Sequence, residues 1–424
     1  MTRIVRVVGR FEPSGGCDLQ SDFAKLWVAQ TLGECGTQVS AVAIPLVAAV
    51  QLQASPLSMG IVASASTAPF ILFGFLAGAY VDRRSPRSVL LLTTALRAGV
   101  LLLIPLCWFT RTLTVPLLVL FVFAGGTLNV FFEVATGALL PRILSRADLM
   151  SANAKITSAQ SAVKVIAPSL GGAMAQLLTA SGSIFIDIAM RVTAAISVSA
   201  ISAPCGQTPS TTGFRALIAD VTDGLQKVFN HPVLRALISC ATTYNFFLSI
   251  LESLLIISMS RILHLSQWEI GVVASATGAG FLAGSLASRR IAAFYGFGKT
   301  LIAAGLLAGG GWLVVGYALA ARPTFDFVLL CAGQALFGIG QATFNIAYVT
   351  VRQSVTPDEL QGRVNASMRT LSWGMLPLGA LVGGALGQSI GLVATMALAP
   401  LGLFLSLGWL VGSPVRRMRS ADAY

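Results

Sequence analysis

Carboxyl and amide side chains recur at helical spacing inside strongly apolar stretches of this sequence, where each is costly unless it is paired or wetted. Gln30, Glu34 and Gln38 lie in the first such stretch and Asn129 and Glu133 in the fourth. Asn245, Ser249 and Glu252 lie in the seventh, and Gln334, Gln341 and Asn345 in the tenth. Offsets of 4, 7 and 11 put each set on one helix face, because a turn takes about 3.6 residues. Lipid rejects such faces, so all four are expected to look into one shared, wetted interior. The chemistry available there is binding and proton exchange. Amides hydrogen-bond a polar solute, and a carboxyl can hold a proton facing one side and release it facing the other. Glu34 and Glu252, one in each half, have no basic residue forced beside them. They read as coupling or substrate-binding acids, for which a cationic solute competes with the proton, or else as protonated hydrogen-bonding groups of a polar pore.

Five more ionisable residues fall in apolar stretches. Arg97, Glu133 and Lys164 sit at similar depth on neighbouring segments, and form either a locking ion-pair network or a proton relay. Asp187 and Arg191 are one helical turn apart and are expected to pair with each other. An unpaired charge at the bilayer centre costs about 2.5–3.5 kcal/mol on insertion scales, so most of these groups must find partners or water. Phe132, Tyr244, Phe344 and Tyr348 lie on or near the polar faces and are candidate apolar contacts for a substrate.

The elements that must position these groups follow from composition. Of 424 residues, 55% are hydrophobic and 10% charged, far below the roughly 25% charged of a soluble domain. A spanning helix needs about 20 mainly apolar residues. Twelve candidates occur, at 24–50, 57–80, 88–109, 116–140, 157–180, 183–203, 235–259, 268–292, 299–320, 327–350, 370–389 and 391–412. The expected fold is an all-α polytopic membrane protein. The net charge of +12 does not point to nucleic acid, because no basic stretch is interleaved with aromatics. Instead the basic residues sort by side: only Arg111, Arg261 and Arg322 fall in predicted outer loops. That is the positive-inside rule with both termini cytoplasmic, and the basic clusters then sit beside anionic lipid headgroups.

The halves repeat. Leu144 to Leu149 with Asn153 corresponds to Val355 to Leu360 with Asn365, and Gly171 to Gln176 corresponds to Gly383 to Gln388, both near an offset of 212. Gly60 to Ala65 matches Gly271 to Ala276 at 211. A further match between 74–78 and 280–284 needs an offset of 206 and reads as coincident small-residue packing. Two six-helix bundles related by a pseudo-twofold axis are therefore expected. The chain divides into a leader (1–22), an N-terminal bundle (23–203), a linker (204–232), a C-terminal bundle (233–412) and a basic tail (413–424). The linker's alternation of apolar and charged residues from Phe214 to Phe229 reads as an amphipathic helix on the inner membrane surface.

Two local motifs complete the reading. After the second span, Gly78, Asp82, Arg83 and Arg87 follow the spacing Gly-x-x-x-Asp-Arg-x-x-x-Arg, which allows ion pairs that make and break as helices rock. In the fifth span Pro168 removes a backbone donor, and Gly171 and Gly172 permit close helix contact. The first motif resembles the loop signature of the major facilitator superfamily. The second is similar to that superfamily's antiporter motif, with Ala167 in place of its first glycine. Leu26 to Gln30, Phe131 to Glu133 with Leu140 and Pro141, and Gly362 to Ser367 resemble the branch holding bacterial macrolide-efflux proteins and enterobactin-type siderophore exporters.

The resemblance implies two six-helix halves rocking about a midplane site lined by the first, fourth, seventh and tenth helices. It implies a proton-driven exporter of drug- or antibiotic-like compounds in the bacterial plasma membrane, acting as a monomer. Its partners would be a small-molecule substrate, protons and membrane lipid. A dedicated siderophore or endogenous-metabolite exporter stays open, with a membrane-embedded enzyme or receptor as the remote alternative. No cofactor or metal is expected: His231 and His264 fall on opposite predicted sides, and no Gly-x-x-x-x-Gly-Lys-Ser/Thr string occurs.

Overall fold

A computed structural model describes residues 19–144, 148–201, 225–357 and 360–418. Most of the predicted leader and linker, and the end of the basic tail, lie outside these residues; 225–230 are helical. The N-terminal half comprises α1 (Leu19–Leu46), α2 (Pro56–Asp82), α3 (Pro86–Phe109), α4 (Val115–Ile143), α5 (Leu149–Leu178) and α6 (Ala180–Ser199). The C-terminal half comprises α7 (Pro232–Ile262), α8 (Gln267–Tyr295), α9 (Phe297–Ala321), α10 (Asp326–Ser354), α11 (Gln361–Ser389) and α12 (Leu392–Val411). All twelve are long and apolar enough to cross a membrane. In lipid only a helix or a closed barrel satisfies its own backbone, and the caps complete that satisfaction. Ser55 accepts from Ser58 N before α2, and Ser266 and Glu269 form a reciprocal capping box before α8.

Helix packing repeats between the halves. In the first, α1 lies against α5 and α6, α2 against α4, and α3 against α4 and α6. In the second, α7 lies against α11 and α12, α8 against α10, and α9 against α10 and α12. The halves meet along two seams, α5 on α8 and α2 on α11, which the pseudo-twofold axis exchanges.

The repeated glycine pairs build these seams. A Cβ on Gly172 would lie 2.8 Å from Gly271 Cα, and one on Gly384 would lie 3.0 Å from Gly60 Cα. The first glycine of each pair packs within its own half, Gly171 on Val39 of α1 and Gly383 on Ile250 of α7. The match at offset 206 has no shared role: Gly280 and Gly284 abut the α10 backbone, whereas Gly74 and Gly78 meet nothing within 4 Å.

Both seams are tight on the face away from the start of α1 and the end of α12. We call that the far face, and the other the terminal face. At the far face one apolar core runs through both halves, joining Val42, Leu46, Met59 and Ile184 to Leu251, Ile257, Ile270 and Trp312. Polar contacts add to it: Arg261 donates to Ala54 O at 2.8 Å, Trp268 N to Gln176 Oε1 at 3.0 Å, and the hydroxyls of Ser169 and Ser275 meet at 2.5 Å. Towards the terminal face the core splits in two. One cluster belongs to the N-terminal half, around Phe23, Leu90, Ile143 and Val198. The other belongs to the C-terminal half, around Leu237, Leu301, Val351 and Met368.

Two helices begin about two turns earlier than the apolar runs suggested. α5 starts at Leu149 rather than 157, and α11 at Gln361 rather than 370. Their opening turns carry Asn153, Thr157, Asn365 and Arg369, which line a cavity and not lipid. A hydropathy reading therefore cut them off.

Gly172→Val should force α5 off α8. It should lower stability by about 1–3 kcal/mol, the usual range for overpacking. A cysteine placed at Val273, fully buried in the far-face core, should then become reactive to a thiol reagent. Gly99→Ala, whose new Cβ meets nothing within 4 Å, should change neither reading. Unaltered labelling in the Gly172 variant would contradict the seam.

Candidate functional site

Between the two terminal-side cores lies a cavity of about 720 Å³, within the roughly 300–1,000 Å³ that small-molecule sites occupy. α1 contributes Gln30, Glu34 and Thr37, α4 contributes Asn129 and Glu133, and α3 and α6 contribute Arg97 and Arg191. Phe70 comes from α2, Asn153 and Gln160 from α5, and Arg369 and Trp373 from α11.

Three polar groupings organise the wall. The first fixes α6 to α1. Asp187 and Arg191 pair at 2.7 Å with both side chains buried. Asp187 Oδ2 accepts from Ser40 at 2.5 Å, and Arg191 donates to Thr37 Oγ1 at 2.9 Å. Gly36 makes this contact possible, since a Cβ there would overlap Asp187 Oδ1. The pair expected from the sequence is thus also the polar bond between two helices.

The second grouping is a chain of bonded polar side chains. Arg97 donates to Asn129 Oδ1, Asn129 Nδ2 donates to Glu133 Oε1 at 3.0 Å, and Arg369 donates to Glu133 Oε2 at 2.8 Å. The last bond crosses from α11 to α4 and so joins the halves on the open side. Arg369 also lies over Trp373, 4.1 Å from the ring centroid, and 5.8 Å from that of Phe70. Lys164, expected beside Arg97 and Glu133, is elsewhere. It sits at the α5–α8 seam with its ammonium 5.2 Å from the centroid of Phe281. Arg369 takes the place assigned to it. The signal for Arg369 was present in sequence as Arg369 and Trp373 one turn apart, but both straddle the predicted start of the eleventh span.

The third grouping is Glu34 alone, whose Oε1 accepts from Gln38 Nε2 at 2.8 Å. Among the described residues no cation forms a salt bridge with Glu34. Gln38 thus supports the acid from behind and does not line the cavity itself.

The polar faces of α7 and α10 do not reach this cavity. Asn245 donates to Ser372 O at 3.0 Å and Ser249 to Leu376 O at 2.6 Å, so both tie α7 to α11. Gln341 accepts from Tyr244 at 2.7 Å, and Gln334 accepts from Thr277 of α8 at 2.7 Å. Asn345 is exposed outside the cavity lining, and so is Glu252, which has no hydrogen bond or ion pair among the described residues. Helical periodicity says that such residues share a face, not which neighbour that face meets. Of the aromatic candidates Phe132 lines the cavity, while Tyr244, Phe344 and Tyr348 stack on one another away from it.

The loop motif has a structural part that the described atoms explain. Arg87 donates to Ser199 O at 2.5 Å and to Val198 O at 3.4 Å, capping the free carbonyls at the end of α6. Arg83 is exposed, and its backbone closes the α2 end by donating to Tyr80 O. The Asp82 side chain lies outside the described residues. In the fifth-span motif, the Pro168 carbonyl faces Gly271 across the seam.

Asp187→Asn should strand the buried Arg191 charge and cost about 3–5 kcal/mol, whereas the double change with Arg191→Gln should cost less. Denaturant unfolding in detergent measures both. A double loss equal to the sum of the Asp187→Asn and Arg191→Gln single losses would mean that the two groups are not coupled.

With this geometry in view, comparison with known proteins is direct. Residues 19–424 match the family model described as transmembrane secretion effector. The multidrug efflux pump Tap of Mycolicibacterium fortuitum is 27% identical over 406 residues, covering 94% of this chain and 96% of that protein. The uncharacterized MFS-type transporter YfiS of Bacillus subtilis is 24% identical, over 94% and 95%. Among solved structures, a bacterial homologue of the iron transporter ferroportin in its inward-facing state superposes with a TM-score of 0.76 at 14% identity, covering 94% of this chain and 99% of that one. The outward-facing state of a bacterial ferroportin homologue gives 0.61. The chain belongs to the transmembrane secretion effector family, a branch of the major facilitator superfamily of membrane transporters.

Proposed function

We propose that this protein exports amphipathic, drug-like small molecules from the cytoplasm in exchange for protons, with its terminal face inside. The observation that carries this reading is the asymmetry of the core. One core spans both halves at the far face, two separate cores lie at the terminal face, and a drug-sized cavity opens between them. Rocking the halves about the two glycine seams would close the terminal side and open the far side, which is alternating access. The positive-inside distribution of Lys and Arg supports a cytoplasmic terminal face. The similarity to a multidrug efflux pump supports outward transport of drugs.

Glu34 is the acid best placed to couple. It lines the cavity, forms no salt bridge among the described residues and is held by one neutral amide. Facing the outside it would take a proton, and facing the cytoplasm it would release that proton to the water of the cavity. An amphipathic cation would compete for the ionised form. Glu252, the other acid singled out by its position, lies off this cavity and is the weaker choice.

A dedicated exporter of an anionic endogenous metabolite is favoured by one feature. The Nε atom of Arg97, a residue of the cavity wall, is buried without a hydrogen-bond partner among the described residues, a donor suited to a carboxylate or catecholate.

Proteoliposomes loaded at one pH and diluted into another test the main reading with a panel of antibiotics, dyes and siderophores. Wild-type flux should follow the proton gradient for at least one amphipathic drug. Glu34→Gln should lose about tenfold or more of that gradient dependence while still binding the compound, and Glu252→Gln should keep it. Gradient-independent flux across the panel would end the antiport proposal. Export confined to siderophore-like anions would favour the second reading.

A further inference from the structure

Arg369 lies among two aromatic rings and a carboxylate. Its guanidinium lies 4.1 Å from the Trp373 centroid and 5.8 Å from that of Phe70, and the two rings meet edge to face at 5.2 Å. Glu133 neutralises it at 2.8 Å and is itself aimed by Asn129. Two aromatic walls and a carboxylate are what a desolvated cation needs: the ring quadrupoles attract its charge and the acid balances it. Among the described residues no backbone group accepts from this guanidinium, and the Arg369 and Glu133 side chains are 46% and 41% exposed. Solvent-exposed ion pairs are weak, so the occupant is readily displaced.

We propose that Arg369 is a tethered occupant of an organic-cation subsite formed by Trp373, Phe70 and Glu133, and that swinging it aside admits the cationic group of a substrate. The inference rests on the export reading for its cargo and adds the substrate's chemical class. Charge balance in the cavity agrees. With Arg369 in place, Glu34, Glu133 and Asp187 offset Arg97, Arg191 and Arg369. With it withdrawn, one negative charge is left over and a monovalent cation restores neutrality. The subsite is also assembled from both halves, Phe70 on α2 and Glu133 on α4 against Trp373 on α11. Separating or closing the halves changes its shape, so occupancy and conformation are linked.

Equilibrium binding of tetraphenylphosphonium to the purified full chain in nanodiscs tests this. Arg369→Gln should bind it about tenfold more tightly than wild type, equivalent to about 1.4 kcal/mol. Adding Trp373→Ala or Glu133→Gln to that variant should abolish the gain. A gain in affinity cannot come from misfolding, so the primary variant is informative as it stands. The inference is overturned if Arg369→Gln binds the cation no more tightly, or if the gain survives intact in the Trp373 double variant. Proton-driven flux of an uncharged dye, measured on the same variants, separates the two claims. If that flux persists while the cation result fails, the subsite falls and export stands. If cation binding behaves as expected but no compound shows gradient-driven flux, export falls and the subsite stands.

Discussion

Backbone meets backbone where Gly172 faces Gly271 and where Gly60 faces Gly384, and the rest of the architecture depends on these two contacts. In lipid there is little hydrophobic gain in bringing helices together, so association comes from close packing and from polar contacts. Small residues let α5 approach α8 and α2 approach α11 closely enough for van der Waals contact along the backbone. Because the two seams are copies of one another, the halves are held symmetrically at the far face and are free to part at the other. The single far-side core and the paired terminal-side cores follow from that arrangement. The cavity is the space left where the seams stop.

In and around that space the charged groups are arranged so that few stand alone. Asp187 and Arg191 neutralise each other and bond α6 to α1, Glu133 and Arg369 do so across the halves, and Lys164 rests on an aromatic face. Arg97 is tied to a neutral amide, and among the described residues Glu34 is bonded to Gln38. These differences separate structural charges from labile ones. A buried pair with helix-to-helix hydrogen bonds resists change, because removing either partner leaves a stranded charge. A carboxyl held by one amide in a wetted wall can change its protonation without dismantling anything around it.

Much of this was legible in the sequence. The twelve apolar runs, the half-chain repeat and the loop and fifth-span motifs fix the fold, and the matching glycine pairs turn out to be the very residues that touch. The Gln30–Glu34 and Asn129–Glu133 faces were found by period alone, and both line the cavity. The faces of α7 and α10 were read the same way and do not. Asn245 and Ser249 satisfy themselves on α11 carbonyls, and Gln341 on a tyrosine hydroxyl. An amide among helices has two remedies, water or a neighbour, and periodicity does not choose between them. Arg369 was lost for a related reason. The opening turns of α5 and α11 are polar because they face the cavity, so a rule built on lipid exposure ends those helices too early.

The Glu133–Arg369 bond has a consequence for how such a cavity could work. It joins the halves at the wide end, where the apolar cores have already separated, and both partners are wetted. A strong lock there would hold the halves in one relative position and oppose rocking. A weak, exposed pair does not, and its strength falls further when Glu133 is protonated or when another cation competes for the same carboxylate. Protonation would leave Arg369 without its acid partner, and a bound cation would take its place between Trp373 and Glu133; either event would break this bond between α4 and α11. In the proposed exchange, proton uptake and cation entry would act on one bond between the halves. This gives a physical route by which a change confined to the cavity wall alters the balance between its two openings.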